Sequence, residues 1–278
     1  MNERTLLDLL HSGLRPAYQV DCELGRGGMA AVFLAADTKH DRPVAIKVIL
    51  PAVAEQLGTE RFLHEVRVTA RLNHPNLLPL LDSGEVEGLP FYVAPYIAGD
   101  DLRVTLMRRG RMEAEEAIEI VTQAGRGLGY AHESEVVHRD VKPGNILLSD
   151  GVAVVADFGI ARALELSGGD RLTQSGVFLG SPLYMSPEQA LGDEPVTGAA
   201  DQYSLACVLF ELLTGSPPFQ GASPREVLIR HATRSIPSVQ ASVPELPAIL
   251  DTAIRRAMSK RPVDRFPSIR EFVLALRN

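Results

Sequence analysis

The feature that most constrains this chain is a run of charged and polar residues, His138–Asn145, enclosed by apolar ones. The run reads His-Arg-Asp-Val-Lys-Pro-Gly-Asn, with Val136-Val137 before it and Ile146-Leu147-Leu148 after it. Ionisable groups framed by apolar residues are costly unless they are partnered, so this pattern is not that of a simple surface loop. Seventeen residues after Asp140, Asp157 follows a second apolar run and begins Asp-Phe-Gly. Both segments are therefore candidate functional loops.

A glycine-rich segment, residues 24–32, lies between two predicted β-strands. It reads Leu-Gly-Arg-Gly-Gly-Met-Ala-Ala-Val and matches G-x-G-x-x-G-x-V, with Ala30 at the third glycine position. Glycines allow backbone N–H groups to approach phosphate oxygens closely, so the segment is a candidate phosphate-binding loop. Taken alone, the pattern fits a hairpin turn as well. The strand that follows it excludes a dinucleotide-binding motif, which must begin a helix.

Lysine is rare in this chain. Of 28 basic residues only four are lysines, at Lys39, Lys47, Lys142 and Lys260. Lysine is a compact point charge and arginine a planar fork, so each lysine is a candidate for a specific task. Lys47 ends the apolar strand Val-Ala-Ile-Lys, where a buried charge needs a partner. The candidate partners are nucleotide phosphates and Glu65 in the following helix; the alternative is a surface lysine and a solvated glutamate.

The composition excludes several classes of protein. With 35 acidic and 28 basic residues the net charge is −7, which argues against a protein that binds nucleic acid. The two cysteines, Cys22 and Cys207, lack zinc-site spacing and indicate idle thiols in a reducing compartment. The N-terminus has no signal-peptide core, and no apolar run approaches the ~18–20 residues of a membrane helix. A cytoplasmic chain is therefore expected.

The chain divides into a β-rich first part and a larger helical part, with the boundary expected at Pro95–Gly99. Breaker residues and apolar patterning predict strands at Tyr18–Leu24, Ala31–Asp37 and Pro43–Ile49 and one helix over Glu55–Leu72. Helical periods then predict helices at Ala114–Glu133, Ala200–Leu213, Pro224–Arg230, Pro247–Met258 and Ser268–Arg277. Leucines at 6–14 predict a short N-terminal helix that packs on the first part or docks a partner.

Taken in order, the glycine loop, Val-Ala-Ile-Lys, His-Arg-Asp-x-Lys-x-x-Asn, Asp-Phe-Gly and Ser-Pro-Glu resemble the signature motifs of protein kinases. Over about residues 18–277 the chain resembles the bacterial eukaryotic-like (Hanks-type) serine/threonine protein kinases. The resemblance implies an α+β, bilobal protein-kinase-like fold with a small β-rich N-lobe, one key helix and a larger, mainly helical C-lobe. The expected boundaries are an N-terminal helical extension at 1–17, the N-lobe at 18–97 and the C-lobe at 98–278.

The resemblance implies an ATP- and Mg²⁺-dependent transfer of the γ-phosphate to Ser/Thr hydroxyls of protein substrates in bacterial signal transduction. Asp140 would orient the hydroxyl and accept its proton, and Lys142 would contact the γ-phosphate. Lys47 would hold the α- and β-phosphates and pair with Glu65. Phosphoryl transfer requires positioning and electrostatic stabilisation above all, which these groups can supply.

The resemblance also implies the residues that bind metal and nucleotide. Asn145 and Asp157 would hold Mg²⁺, with Mn²⁺ as an alternative ion. Ala94 falls at the gatekeeper position, and its small size predicts an enlarged pocket that admits bulky purine-analogue inhibitors. The residues expected around the nucleotide, besides Lys47, are Leu24, Gly25, Gly27, Gly28, Val32, Ala45, Pro95, Ile97, Asp101 and Leu147.

The segment between Asp157 and Glu188 carries the candidate regulatory hydroxyls. Thr173 and Ser175 are the candidate autophosphorylation sites, and phosphate there would pair with Arg139 and order the segment. The alternative is that they are unmodified loop residues. Ser181 resembles the hydroxyl that bonds Asp140 and Lys142 in Ser/Thr kinases. A homodimer for autophosphorylation in trans is a further expectation.

Other positions are expected to support the fold. Glu188 and Arg265 resemble the buried ion pair of the large lobe, and Asp201 resembles the residue that caps the backbone of the catalytic loop. Lys39 and Lys260 are expected to be ordinary surface residues. The chain departs from the family pattern at Ala30, Ser186 and Thr69.

The motifs also bear on two alternatives to an active protein kinase. A pseudokinase that only binds or scaffolds should have lost Lys47, Asp140 or Asp157, and all three are present. A small-molecule kinase of the same fold is disfavoured by Ser181 and Ser186-Pro187-Glu188, since that segment forms a platform for peptide substrates. The chain is expected to act in the cytoplasm, either by itself or as the cytoplasmic part of a longer membrane-anchored kinase.

Overall fold

The structure is a computed structural model, and it describes residues 5–57, 59–158, 182–192 and 195–277. The chain folds into two compact units. The first contains the described residues up to 73 together with Leu78–Ile97, and the second contains His74–Leu77 and the described residues from Ala98 onward. Each unit has its own architecture.

The first unit is built on a five-stranded antiparallel sheet. Its strands are β1 (Tyr18–Arg26), β2 (Ala30–Asp37), β3 (Arg42–Ile49), β4 (Asp82–Val86) and β5 (Leu89–Pro95), in the order β1-β2-β3-β5-β4. In β3 the side chains of Val44, Ile46 and Val48 are fully buried and alternate with half-buried Ala45 and Lys47. This period of two is the one that a strand imposes, because successive side chains point to opposite faces.

The helices of the first unit differ in one respect from the prediction. The segment expected as one helix over Glu55–Leu72 forms two, α2 (Pro51–Leu57) and α3 (Thr59–Thr69). Gly58 stands between them in the sequence, and glycine is a weak helix former. Helix α3 packs on β4 and β5 and buries Phe62 and Val66.

The predicted N-terminal helix is present as α1 (Leu6–Gly13) and packs on β1. Thr5 and Asp8 form a capping box at its start, which satisfies two backbone N–H groups that lack partners within the helix. Leu10 is fully buried, and the His11 ring lies 2.9 Å from the carbonyl oxygen of Val20. The packing prediction for this helix is therefore confirmed.

The second unit contains a small sheet next to a larger group of helices. Its strands are β6 (Asp100–Asp101), β7 (Ile146–Ser149) and β8 (Val152–Val155), paired antiparallel in that order. Asp150 and Gly151 connect β7 to β8 with φ of 49° and 78°. Two successive positive φ values suit an Asp-Gly pair in a two-residue hairpin turn.

Among the helices of the second unit, one is buried along most of its length. These helices are α4 (Leu102–Arg109), α5 (Ala114–Glu133), α6 (Pro187–Leu191), α7 (Gly198–Thr214), α8 (Pro224–Thr233), α9 (Ala248–Ala257) and α10 (Ile269–Ala275). Every residue of α7 from Ala200 to Phe210 is buried, as expected of a helix at the centre of a core. At Gly125 helix α5 lies very close to α10, because a Cβ there would be 2.5 Å from Val273, and it also contacts α7, with Leu205 at 3.5 Å.

None of the helices in the described ranges is long and apolar enough to cross a membrane. The longest, α5, has 20 residues and carries Glu115, Glu116, Glu119 and Arg126. Charged side chains at this density are incompatible with a lipid-exposed span.

Candidate active site

The glycine-rich segment forms the connection between β1 and β2, as predicted. The two strands pair through Gly25 with Val32 and Arg26 with Ala31, and the backbone N–H of Gly27 donates to the carbonyl oxygen of Ala30 at 2.9 Å. A Cβ at Gly25 would meet nothing within 4 Å, so the backbone there borders open space. Leu24, at the start of the segment, is 45% exposed. At Gly25 the loop thus presents backbone rather than a side chain.

One face of the sheet collects several of the predicted nucleotide-binding residues. Lys47 is the cross-strand partner of Val32 on one side and of Tyr92 on the other. Two residues away, Ala45 lies between Leu34 and Ala94 in the same way. Directly paired residues of neighbouring strands share a face, and so do residues two apart. Val32, Ala45, Lys47 and the predicted gatekeeper Ala94 therefore point to the same side.

Glu65 lies on α3 and is 5% exposed, although it is a carboxylic acid. Its neighbours along the helix, Phe62 and Val66, are also buried. Burial of a charged carboxylate is costly without a cationic or hydrogen-bonding partner. The alternative of a solvated helix glutamate is therefore wrong.

The predicted catalytic residues of the second unit meet in one cluster. The Lys142 ammonium donates to Oδ2 of Asp140 at 2.6 Å. The Asn145 amide nitrogen Nδ2 donates to the same Oδ2 at 3.2 Å and to the backbone carbonyl of Asp140 at 2.8 Å. The side chains of Asp140 and Lys142 are 21% and 24% exposed, so the pair is accessible from one side. Asp140 is thus held by two donors and remains open to a substrate.

The backbone of this loop is fixed by Asp201, as predicted. The fully buried Asp201 carboxylate accepts the backbone N–H of His138 at 2.8 Å through Oδ2 and that of Arg139 at 2.7 Å through Oδ1. His132 Nε2 lies 2.7 Å from Oδ2. Burial alone would raise the pKa of Asp201. The hydrogen bond to His132 and the electrostatic interactions with His132 and His138 outweigh this effect, so the pKa of Asp201 is below its ordinary value. A charged, two-oxygen acceptor therefore sits under the loop.

Arg139 adopts φ of 69°, a left-handed conformation that is uncommon for residues other than glycine. Its N–H is bound by Asp201, and its carbonyl accepts from Gln189 Nε2 at 2.8 Å. Gln189 itself belongs to a capping box with Ser186 at the start of α6. The departure from the family pattern at Ser186 thus places the N-cap that orients Gln189.

The His138 ring connects the loop to the strand that precedes Asp157. Its Nδ1 accepts the backbone N–H of Asp140 at 3.2 Å, and its Nε2 lies 2.8 Å from the carbonyl oxygen of Ala156. A carbonyl oxygen can only accept, so the hydrogen is on Nε2. The N–H of Ala156 donates to the carbonyl of Asn145 at 2.9 Å. These two bonds bring Asp157, which has φ of 70°, alongside the loop.

Two further predicted residues, Asp101 and Leu147, are cross-strand partners in β6 and β7. Oδ1 of Asp101 accepts the N–H of Val104 at 2.8 Å and so caps α4. Oδ2 lies 3.5 Å from the Arg103 guanidinium. The structure therefore gives Asp101 a helix-capping role that the sequence motifs did not indicate.

The predicted pair of Glu188 and Arg265 is confirmed as a buried, two-point ion pair. The distances are 2.7 Å from Nη1 to Oε1 and 2.8 Å from Nη2 to Oε2, and the side chains are 2% and 0% exposed. Arg265 also donates to the backbone carbonyls of Ser259, Ala199 and Lys260. The ion pair fastens α6 to the start of α7 and to the chain before α10.

One prediction about the lysines is wrong. Lys260 was expected to be an ordinary surface residue, but it is half-buried, with Nζ 2.7 Å from the carbonyl oxygen of His231 and 4.3 Å from the centre of the Phe219 ring. Burial lowers the pKa of Lys260 to about 8. Lys39 is exposed, as expected. The difference has a tertiary cause, because Phe219 and His231 lie 41 and 29 residues away in sequence.

The residues that sequence reasoning missed are those that act on backbone groups from a distance. His132 contacts Asp201, Gln189 holds Arg139, and the Asn76 amide donates to the carbonyl of Ala153 at 2.9 Å. None belongs to a motif with fixed spacing to its partner. The candidate phosphosites Thr173 and Ser175, and also Ser181, lie outside the described residues.

The oxygen atoms near Asp140 that could act as metal ligands suit a hard cation. Because Nδ2 of Asn145 donates to two oxygens of Asp140, the amide oxygen Oδ1 is turned away from them. Amide and carboxylate oxygens are the ligands that Mg²⁺ prefers, and the nearby Asp157 carries a carboxylate. Within the described ranges, no group of three or more His, Cys, Asp or Glu residues forms a metal site of another kind.

The chain was compared with known protein families and with curated relatives. Residues 18–270 match the model of the protein kinase domain, so the chain belongs to the protein kinase family. It is 40% identical over 266 residues to the serine/threonine-protein kinase PknB of Mycobacterium tuberculosis, covering 94% of this chain and 42% of that protein. PknH of Mycobacterium bovis is 39% identical over 260 residues, with 93% and 43% covered. The chain thus spans about two fifths of the length of these relatives, and it is of the bacterial Hanks type.

A solved structure supports the fold alone. The crystal structure of Rad53 residues 1–466 in complex with AMP-PNP superposes with a TM-score of 0.76 at 21% sequence identity. The match covers 96% of this chain and 66% of that one. The α+β fold class, with a five-stranded β-rich N-lobe and a helical C-lobe, is confirmed by this similarity and by the family match.

Proposed function

We propose that this chain is a serine/threonine protein kinase that transfers the γ-phosphate of ATP to hydroxyls of protein substrates. The observation that carries the proposal is the cluster of Asp140, Lys142 and Asn145 on a loop whose backbone is held by Asp201. Such a loop is pre-organised, so its carboxylate and ammonium need not rearrange during the reaction. The 40% identity to PknB supports the same activity.

Asp140 is proposed to orient the substrate hydroxyl and to accept its proton. Lys142 and Asn145 both donate to Oδ2. Oδ1 is then the oxygen that a hydroxyl would approach. Lys142 contacts this carboxylate, and its positive charge would offset the charge that develops on the oxygens of a phosphoryl group transferred next to Asp140.

In the first unit, the glycine loop and the face that carries Val32, Ala45 and Lys47 are proposed to bind ATP. Backbone N–H groups of the loop suit phosphate oxygens, and the small apolar side chains suit the adenine ring. Lys47 would contact the α- and β-phosphates. Glu65 is its proposed ion-pair partner, since the buried carboxylate needs a cation. Asp101 is proposed to reach the ribose while it caps α4.

Asn145 and Asp157 are proposed to hold Mg²⁺, or Mn²⁺ in its place. When bound, the ion would neutralise phosphate charge and align the γ-phosphoryl group. The contribution of this chain is to fix the two ligands, Asn145 through its bonds to Asp140 and Asp157 through the backbone bonds of Ala156.

The chain from Pro182 to Glu188 is proposed as the platform for the protein substrate. Residues 182–184 are half-buried, whereas residues 185–189 are buried. The first three residues are therefore partly exposed to solvent, next to a buried segment that supports them. Phosphorylation of Thr173 or Ser175 by a second copy of the chain, with recognition of the phosphate by Arg139, is proposed as the regulatory step.

The test compares the wild type with Asp140→Asn in the presence of labelled ATP and Mg²⁺. Removal of a general base lowers rates by ~10²–10⁴, so we expect labelling to fall about 1,000-fold with an unchanged melting temperature. Asp150→Asn is the matched control, because it makes the same change in the exposed β7–β8 turn, where asparagine tolerates the positive φ. Equal labelling by the wild type and Asp140→Asn would contradict the proposed activity.

A further inference from the structure

A cluster of polar groups lies beneath the proposed substrate platform, apart from the catalytic loop. At its centre is His231 of α8, which is fully buried. Its Nε2 lies 3.0 Å from the carbonyl oxygen of Leu183, and its Nδ1 lies 2.8 Å from the hydroxyl of Tyr203 in α7. The Phe219 ring packs edge-on against it at 4.8 Å. The histidine therefore bridges two helices and the platform.

The partners of His231 determine its proton. The carbonyl oxygen of Leu183 can only accept, so Nε2 carries the hydrogen and donates it. Nδ1 of the neutral ring then accepts the Tyr203 hydroxyl. Burial, together with the positive charge of Lys260, lowers the pKa of His231 to about 4. The ring is thus a neutral, oriented donor at physiological pH.

Further contacts make this arrangement rigid. Lys260 donates to the carbonyl of His231 and rests over Phe219, which ties α8 to the chain that follows α9. On the platform, the next residue is held from α7: Ser204 Oγ donates to the carbonyl of Tyr184 at 2.7 Å. Two successive platform carbonyls, those of Leu183 and Tyr184, are therefore fixed from below by side chains of two different helices.

We propose that His231 is a positioning residue for the protein substrate, because its Nε2–H fixes the backbone of the platform at Leu183. This inference rests on the proposed kinase function. It states that the affinity for the acceptor protein depends on one buried histidine. The affinity for ATP should depend on other residues, since the described partners of His231, which are Leu183, Tyr203 and Lys260, lie outside the proposed nucleotide site.

The experiment measures KM for ATP and KM for a peptide of residues 167–179 of this chain, which contains Thr173 and Ser175. His231→Leu removes the donor, and loss of one well-placed hydrogen bond is expected to raise the peptide KM about tenfold. The KM for ATP should stay within about twofold, because uniform loss of structure would change both constants. His40→Leu is the control, since His40 is exposed and its ring contacts Asp37, which lies outside the proposed platform.

Two milder variants keep the test decisive if His231→Leu folds poorly. His231→Gln has a side-chain N–H that can reach Leu183, and we expect it to restore the peptide KM to within about threefold of the wild type. Tyr203→Phe retains the ring and removes only the donor to Nδ1, with an expected rise of about threefold. A peptide KM unchanged in Tyr203→Phe and His231→Leu, or a parallel rise of both KM values, would overturn the inference.

The failure of this inference differs from failure of the proposed function. If the wild type labels no protein or peptide, the kinase activity itself is contradicted. If the wild type is active and the His231 variants have wild-type constants, only the positioning role is lost.

Discussion

Two carboxylate–cation pairs in the second unit illustrate two uses of the same chemistry. Asp140 and Lys142 meet through one oxygen and one nitrogen at 2.6 Å, and both side chains are more than a fifth exposed. Glu188 and Arg265 meet through two parallel bonds and are 2% and 0% exposed. Lysine as a point charge leaves the second carboxylate oxygen accessible, whereas the arginine fork occupies both. The first pair can serve a substrate, and the second can only join parts of the fold.

We expect the largest effect at the buried pair of Glu188 and Arg265. Arg265→Met leaves Glu188 as a buried, unpaired carboxylate and should lower the free energy of unfolding by about 3–5 kcal/mol, measured by urea denaturation. The double variant Glu188→Leu, Arg265→Met should recover a large part of that loss, since no charge then stays buried. Equal stability of the single and double variants would show that packing, rather than the charge, sets the cost.

The second prediction concerns His231, which is buried and has no acidic partner among the residues that the structure describes. The unfolded chain protonates it near the ordinary value of 6.5, whereas the folded protein does so only near pH 4. Since the unfolded state binds more protons between these values, stability is lost as the pH falls through this window, by about 3 kcal/mol from this group. Melts of the wild type and His231→Gln at pH 7 and 4.5 should show a smaller acid loss in the variant.

The third prediction concerns Asp201, whose carboxylate holds the loop that carries the exposed pair of Asp140 and Lys142. Asp201→Asn leaves one acceptor oxygen for the two backbone N–H groups of His138 and Arg139, so the loop that carries Asp140 should shift. A misplacement near 1 Å can cost about 100-fold in rate, and we expect kcat to fall by this amount. Asp251→Asn is the matched control, because Asp251 is also a buried carboxylate that caps a backbone N–H, that of Val239, at 2.7 Å. A similar kcat loss in both variants would contradict the role of Asp201.

The smallest expected effect concerns Lys260, a half-buried cation with no carboxylate among its hydrogen-bond partners in the described chain. Its pKa of about 8 lies below the ordinary 10.5, so the unfolded state binds more protons between these values and stability rises with pH there. Lys260→Met should remove this rise, which we expect to be about 1–2 kcal/mol after allowance for its partial exposure. Thermal melts at pH 7.5 and 10 that change in parallel for both proteins would count against it.

Much of the fold and of the candidate site could be predicted from local patterns. Strands β1, β2 and β3 and helix α5 follow from alternation, helical periods and breaker residues, which act over a few neighbouring positions. The candidate catalytic cluster was also predicted, because Asp140, Lys142 and Asn145 lie within one short segment that resembles a protein kinase motif. The single helix predicted over Glu55–Leu72 was wrong, because the structure has two helices there, α2 and α3, and the helical period was clear only from Phe62 onward.

The motifs alone thus indicate which groups could perform the chemistry, since they place a carboxylate, an ammonium and an amide on one short loop. How that loop is held depends on contacts between residues that are distant in sequence. Asp201 lies 63 residues from His138, and His231 lies 48 residues from Leu183. Such pairs obey no spacing rule, because their contacts depend on helix packing rather than on the period of one element. For the same reason Lys260, an expected surface residue, is half-buried and connects α8 to the chain that follows α9.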